Sequence, residues 1–489
     1  MKSVTISEKW RGAGCDMSPI ARGEANEGPH RVCGHGSTLC GDRQRALCTS
    51  GVDMMNCAQL VRRSGRLHAI LRGPMTLRIL HTADLHLDSP LRSLALKDPD
   101  LAARVRVASR AALERIVAIC LEQEVAALLI AGDLYDGQER SAKTAAYFAS
   151  AMDRLAEAGI EVFYIKGNHD AINPISGEIA LPGNVHVFGP KGGCVQLGKE
   201  QVFIHGVSFS GKHAPESLLP QFGAPVDGAV NIAMLHTSLA GAAGHDPYAP
   251  CSVAELGAMG FDYWALGHVH KRQVHSEAPW IVMPGMPQGR DIGEAGPKSA
   301  SLIEIEGGAV TARPVATSIA QFSDVTWDVS ACETEDALRR DLRRVLEAEA
   351  EAAEETASAD VAQILRLRMT GASALAWQIR RDLDIWEETA REFARDLGDV
   401  WIEKLRCDVT EVQAAVPAGQ SALQEVQALM GDILTEPDFQ AEARRVLEAL
   451  PADSRRMMMP DEAAQEALLK ELTRDAALWM TAQLRGGRS

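Results

Sequence analysis

Short apolar runs bounded by Gly, Asp, Asn or Pro recur from residue 77 onward: LRIL (77–80), ALLIA (127–131), VFYI (162–165), NIAML (231–235), YWAL (263–266) and WIVM (280–283). Each has the length and the punctuation of a buried β-strand. Between the early runs, residues 101–123 and 141–158 read as helices. Strands alternating with helices predict an α/β fold whose sheets are covered by helices. The stretch from Val185 to Phe209, with a turn at Gly198 and Lys199, reads instead as hairpin strands. A second sheet packed on the first would absorb it.

After about residue 318 the pattern thins. VTWDV, a long acidic helix over 333–355, ILRLRM, a helix over about 374–396 and VWIEKLRCDV predict a small α+β domain ending near Val412. Amphipathic helices around 420–434, 438–449 and 461–484, broken at Pro437, Pro451 and Pro460, form a helical tail. Residues 1–74 show neither period and are rich in Gly, Ser, Arg and Cys, so Met75 looks like a natural start. The expected organisation is therefore a disordered extension or over-extended gene start at 1–74, an α/β domain at 75–317, an α+β domain at 318–412 and a tail at 413–489.

Length and composition fit that division. A chain of 489 residues suggests about three domains, and 46% hydrophobic with 24% charged residues is ordinary for a globular protein. No apolar run is long enough to cross a membrane, and the first thirty residues lack the apolar core of a secretory signal, so a cytoplasmic protein is expected. Five of the ten cysteines (Cys15, Cys33, Cys40, Cys48, Cys57) fall in the extension at irregular spacing, and the rest are scattered, as befits reduced thiols rather than disulfides or a zinc site. The net charge of −16 is awkward for a nucleic-acid partner, because phosphate binding draws on Lys and Arg. The acidic excess is concentrated in the last third of the chain, whereas residues 1–74 are basic. Bound divalent cations would supply positive charge where it is needed.

The candidate chemistry sits at the carboxyl ends of the apolar runs. LRIL leads to Asp84 and His86, LLIAG to Asp133, YIKG to Asn168 and His169, AML to His236, and ALG to His268 and His270. Loops at that edge of an α/β sheet converge on one crevice. Carboxylate, amide oxygen and imidazole without thiolate suit manganese, iron or zinc. Two ions need a carboxylate between them, and Asp133 is the candidate bridge; Asp84, His86 and His270 are assigned to one ion, Asn168, His236 and His268 to the other. Such a pair of ions clamps a phosphate oxygen and acidifies a water for in-line attack at phosphorus. His169 is placed to protonate the leaving alkoxide, and Asp170 to orient it or stabilise its charge. One D-x-H or G-D-x-x-D alone is a weak signal; five motifs in this order at comparable strand ends are not.

The motifs resemble the calcineurin-like metallophosphoesterase superfamily, and within it the SbcD-type DNA repair exonucleases of the YhaO-like branch. HTADLHLDSP, GHDPYAPCSVAEL, GHVHKRQ and MPGMPQGRDIGEAGPKSASLIEI carry the resemblance over about residues 75–317. It implies a β-sandwich flanked by helices, a capping domain and a helical tail that docks an SbcC-like or YhaN-like ATPase. It also implies DNA as substrate, two divalent ions, expected to be manganese, and the same seven metal ligands, with the catalytic histidine falling on His169. The alternative substrate is a small phosphoester, a cyclic nucleotide or a phosphoprotein, and a homodimer is left open. The acidity of the last third departs from a DNA-gripping surface.

Other residues have two readings each. His81 is either a support for the ligands or a core histidine; His245 lines a substrate groove or sits exposed in a Gly-rich loop; Arg290 contacts phosphate or forms an ion pair. The Met457–Met459 run reads as apolar packing, and the acidic helix 333–355 as a solvated face.

Overall fold

The computed structural model describes residues 76–486 except 90–98, 137–140, 173–179, 240–247, 357–360, 413–420, 452–454, 456–457 and 460. The expectations for residues 1–74, Met75, His245 and Met457 lie outside the described residues. In chain order the strands up to residue 316 are β1 (Leu77–Thr82), β2 (Ala127–Ala131), β3 (Glu161–Ile165), β4 (Val185–Val187), β5 (Gly193–Gln196), β6 (Val202–Val207), β7 (Val230–His236), β8 (Tyr263–Gly267), β9 (Gln273–Glu277), β10 (Trp280–Met283), β11 (Ser299–Glu306) and β12 (Ala309–Ala316). They build two six-stranded sheets, ordered β12-β11-β1-β2-β3-β4 and β5-β6-β7-β8-β10-β9. The strands β1 to β4 run parallel in the first sheet, and β6, β7, β8 and β10 in the second.

Parallel strands covered on both faces need apolar side chains in both directions, which is why ALLIA and YWALG lack polar alternation. On β2, Leu129 and Ala131 face the core between the sheets with Ile79, Phe163 and Ile232. Leu128 and Ile130 face outward, against Leu113, Ile116 and Phe148. Each buried Leu, Ile or Phe side chain among these contributes about 1.5–3 kcal/mol. The helices of this region are α1 (Pro99–Arg106), α2 (Ala108–Glu122), α3 (Ala142–Glu157), α4 (Asn168–Ile172) and α5 (Val253–Ala258). The Ser141 hydroxyl caps α3 by accepting from the Thr144 N–H.

His81 lies in the core: buried on β1, it joins the two sheets through Tyr263 and the Leu266 carbonyl, each 3.0 Å from a ring nitrogen. Burial pushes its pKa down to about 3, so the ring is neutral. With Nε2–H donating to the carbonyl, Nδ1 accepts from the Tyr263 hydroxyl.

The α/β class and its sheets flanked by helices are as the sequence predicts. Details differ. Of the strands expected between residues 185 and 209, β4 joins β3 in the first sheet, and only β5 and β6 pair as a hairpin, in the second. The helix expected over 101–123 is two helices broken at Val107. The apolar pattern also gave no warning of β9, β11 and β12.

Beyond β12 come β13 (Ala320–Asp328), α6 (Glu335–Thr356), β14 (Ala362–Thr370), β15 (Ala372–Ser373), α7 (Ala376–Arg381), α8 (Leu383–Asp396), β16 (Val400–Cys407) and β17 (Thr410–Glu411). β13, β14 and β16 form a parallel sheet in that order. Leu338, Leu342 and Leu346, one stripe of the acidic helix α6, are buried with Trp327, Leu367 and Trp386 in the core of this region, which leaves the charged positions to solvent. The tail holds α9 (Ser421–Thr435), α10 (Pro437–Glu448) and α11 (Glu462–Gly486). Leu469 and Ala482 of α11 are buried, whereas Leu472, Trp479 and Met480 are about half exposed. No helix among the described residues is long and apolar enough to cross a membrane.

Candidate metal centre

The carboxyl ends of β1, β2 and β3 in one sheet and of β7 and β8 in the other open on the same place, so the crevice is walled from both sides of the sandwich. Asp84, His86 and His270 place ligand atoms within 4.8 Å of one another. So do Asp133, His236 and His268, and so do His86, Asp133 and His169. Asn168 joins the second group, with Oδ1 3.0 Å from His236 Nε2. Asp133 is common to two of the three groups, and its Oδ2 lies 3.4 Å from His236 Nε2 and 3.9 Å from His86 Nε2. All seven residues proposed as ligands, and His169, are thus brought together.

Backbone geometry sets these side chains. Asp84, His86, Asp133 and His268 all have positive φ, an uncommon conformation for residues other than glycine. Hydrogen bonds hold them there. The Asp84 and His86 N–H groups donate to the Gly132 and Asp133 carbonyls at 3.0 and 3.1 Å, and the His268 N–H donates to both carboxylate oxygens of Asp84. Glycine is required before two of the motifs. A Cβ on Gly267 would stand 2.0 Å from the Ala131 carbonyl oxygen, and one on Gly167 would stand 2.2 Å from Asp133 Oδ1.

The donor set fits divalent cations. His236 directs Nδ1 at the Ala131 carbonyl at 2.9 Å, which makes Nδ1 the donor and turns Nε2 toward two oxygens, Asn168 Oδ1 and Asp133 Oδ2, a place for a proton or a cation. His270 directs Nδ1 at Glu294 Oε1 at 2.7 Å, and His86 Nδ1 lies 3.6 Å from Asp136 Oδ1. Their Nε2 atoms then face each other at 3.2 Å. Nitrogens this close to each other and to carboxylates need positive charge between them, from a proton or a cation.

Electrostatics says the same. Burial pushes His236 down, but the charges of Asp133 and Asp84 outweigh it and hold the ring at about 9. His86 is likewise raised against burial by Asp136, Asp133 and Asp84. Burial pushes the Asp133 carboxyl up, yet His236, His86 and His169 together hold it well below the usual carboxylate range. Burial lowers His169, which keeps its imidazole neutral more readily than a free one.

Asp170 has a structural task. It is fully buried and accepts from the backbone N–H groups of Leu134, Tyr135 and Gly167, which braces the G-D-x-x-D loop against the G-N-H-D loop. Burial and the Asp133 charge push it up to about 6. The carboxylate beside the His169 ring is Asp136, 3.5 Å from Nδ1. Sequence reading passed over Asp136, although it is the second aspartate of the G-D-x-x-D motif. It also passed over Glu294, whose contact with His270 has no periodic signal in the chain. Arg290 pairs with Glu294, Nη2 to Oε1 at 2.7 Å, which is the ion-pair reading of that residue.

Residues 77–272 match the family of calcineurin-like phosphoesterases, and residues 322–410 match the middle domain of metallophosphoesterase YhaO. The uncharacterized metallophosphoesterase YhaO of Bacillus subtilis is 34% identical over 266 residues, 53% of this chain and 64% of that protein. The DNA double-strand break repair protein Mre11 of Haloferax volcanii is 27% identical over 277 residues, 54% of this chain and 58% of that protein. The matched region thus spans less than two thirds of the length of these curated relatives. A dimetal phosphatase from Danio rerio superposes on 50% of this chain and 99% of its own, with 10% identity and a TM-score of 0.34, a likeness too weak to carry weight. With the calcineurin-like phosphoesterase match over residues 77–272 and the YhaO middle-domain match following it at residues 322–410, the chain resembles YhaO-type metallophosphoesterases in both regions and in their order.

Proposed function

We propose that this protein is a manganese-dependent phosphodiesterase that cleaves DNA in concert with an SbcC-like or YhaN-like ATPase. The observation that carries the hydrolytic reading is the run of three adjoining ligand groups joined through His86 and Asp133, with His169 a member of the middle one. What divalent cations supply in such a cage is charge: they neutralise phosphate oxygens and bring the pKa of a water to about 7. The chain's own residues do the rest. Asp84, His86 and His270 hold one side, Asn168, His236 and His268 the other, and Asp133 lies between them. His169, with Nδ1 toward Asp136, would act as the acid in its doubly protonated form, donating from Nε2 to the leaving alkoxide, a form that the Asp133 and Asp136 charges favour against burial. The oxygen and nitrogen donors without thiolate would suit manganese, as they would iron or zinc.

DNA as substrate is supported by the likeness to Mre11 proteins over half of the chain. The exposed Leu472, Trp479 and Met480 on the tail support a protein partner there, since apolar spacing of this kind is stable when buried. The net charge of −16 favours a second reading, a small phosphoester or cyclic nucleotide, which needs no long basic groove. The deciding experiment is manganese-titrated digestion of end-labelled single- and double-stranded DNA beside a phosphomonoester and a cyclic nucleotide. Cleavage of DNA alone supports the proposal; turnover of the small esters with DNA untouched refutes it. For the partner, removal of residues 421–486 should abolish co-purification with the ATPase while a small phosphodiester is still hydrolysed. Retained binding with lost hydrolysis would overturn that assignment.

A further inference from the structure

We propose that Glu294 is a positioning residue of the metal centre, which fixes His270 so that its Nε2 faces the Asp84 and His86 side of the cage. The inference rests on the reading of His270 as a metal ligand. Either nitrogen of an imidazole can bind a metal, and the ring of His270 sits on a loop beyond β8, partly open to solvent, where nothing intrinsic selects one of them. The carboxylate selects. Glu294 Oε1 lies 2.7 Å from His270 Nδ1 and can only accept, so Nδ1 carries the proton and Nε2 the lone pair. Arg290 Nη2 also approaches Nδ1, at 3.3 Å, but a donor cannot satisfy a donor, and the guanidinium turns its hydrogen bonds on Glu294 instead.

Glu294 is itself immobilised, as a positioning group must be. Its two oxygens accept from the Arg290 backbone N–H at 2.8 Å, from Nε at 3.2 Å and from Nη2 at 2.7 Å. The segment that carries it is pinned at both ends to β13. Gln288 Oε1 accepts from the Ile319 and Ala320 N–H groups, its Nε2 donates to the Ala320 carbonyl, and the Gly296 N–H donates to the Phe322 carbonyl at 2.8 Å. Between the pins, Ile292 packs against a cluster that includes Leu101, Phe322 and Ile364. The other side of the cage has its own support, the Ala131 carbonyl on His236. Loss of Glu294 should therefore weaken one metal position and spare the other.

The test is manganese binding by the full chain, followed by calorimetric titration and by metal analysis after dialysis, for wild type, Glu294→Gln and Glu294→Ala. Wild type should bind two equivalents. Both variants should bind one equivalent with unchanged affinity and the second about 10–100-fold more weakly, Gln less affected than Ala because an amide oxygen still accepts from Nδ1–H. The metal-free melting temperature of Glu294→Gln should match wild type, which separates positioning from a general structural role. Two equivalents at wild-type affinity in both variants would overturn the proposal, as would equal weakening of both positions. A wild-type protein that binds no manganese would instead overturn the metal-centre reading on which the proposal rests, and the wild-type titration alone reveals that outcome.

Discussion

Replacing Gly267 by alanine should damage the metal centre without replacing any proposed ligand. The added Cβ would stand 2.0 Å from the Ala131 carbonyl oxygen and 2.9 Å from His236 Nδ1, and ordinary contact begins at 3.4 Å. The end of β8 would thus have to retreat from β2 by about 1.4 Å, the difference between 3.4 and 2.0 Å. Neither neighbour can yield cheaply, because the same carbonyl accepts from His236 and the residue after Gly267 donates its N–H to Asp84. Overpacking of this kind costs about 1–3 kcal/mol. A displacement of about 1 Å in a catalytic group costs on the order of 10²-fold in rate. The assay is a thermal melt, metal stoichiometry and turnover of a small phosphodiester at saturating manganese. Gly257→Ala serves as control: it lies in α5 with nothing within 4 Å of the new methyl, so it should be neutral or stabilising by up to about 1 kcal/mol. If Gly267→Ala matched wild type in stability, metal content and rate, the strand-end packing would not be what holds the site.

His169→Ala should keep its metals and lose about 10²–10⁴-fold in turnover, whereas Asp133→Ala should lose metal; equal metal loss in both would undo the separation of acid from ligand. Asp136→Asn, which weakens the hold on His169 Nδ1 and on His86 Nδ1, should lower turnover by about 10–100-fold and loosen the metal held by His86, and a wild-type rate with wild-type metal affinity would show that the contacts are idle. Chelation should abolish activity, with manganese restoring it best; full turnover in excess chelator contradicts metal dependence. Burial raises the Asp88 carboxyl, but Arg110 and Thr144 outweigh it and depress its pKa below 3.8. A depressed folded value contributes stability above the unfolded pKa and loses it as pH falls through the folded one. Asp88→Asn should therefore cost about 1 kcal/mol at pH 7 and little in strong acid, where an equal loss at both pH values would argue against the ion pair.

What the sequence made legible follows from how parallel strands are buried. Strands such as β2 and β8, covered on both faces, must be apolar throughout, so the first polar residue after each run marks the strand end, and the strand ends are where the ligands sit. The strands that escaped notice obey other rules. β12 is an edge strand with half its positions exposed and Pro314 within it, a residue that an edge tolerates and a central strand does not. Contacts that join distant segments leave no period either: Glu294 reaches His270 across 24 residues, and Asp136 reaches His86 and His169 from a third loop. The site backbone is the least legible part. Local propensity opposes positive φ at Asp84, His86, Asp133 and His268, at a cost of order 1–3 kcal/mol for each residue so held. The conformations persist because bonds between loops over-determine them: Asp84 and His86 onto the β2 loop, and His268 onto Asp84. Each of those bonds joins two different motifs, so no motif read alone contains the reason for its own geometry. The order of the motifs can be read along the chain, but the strain that aims them exists only once both sheets are closed.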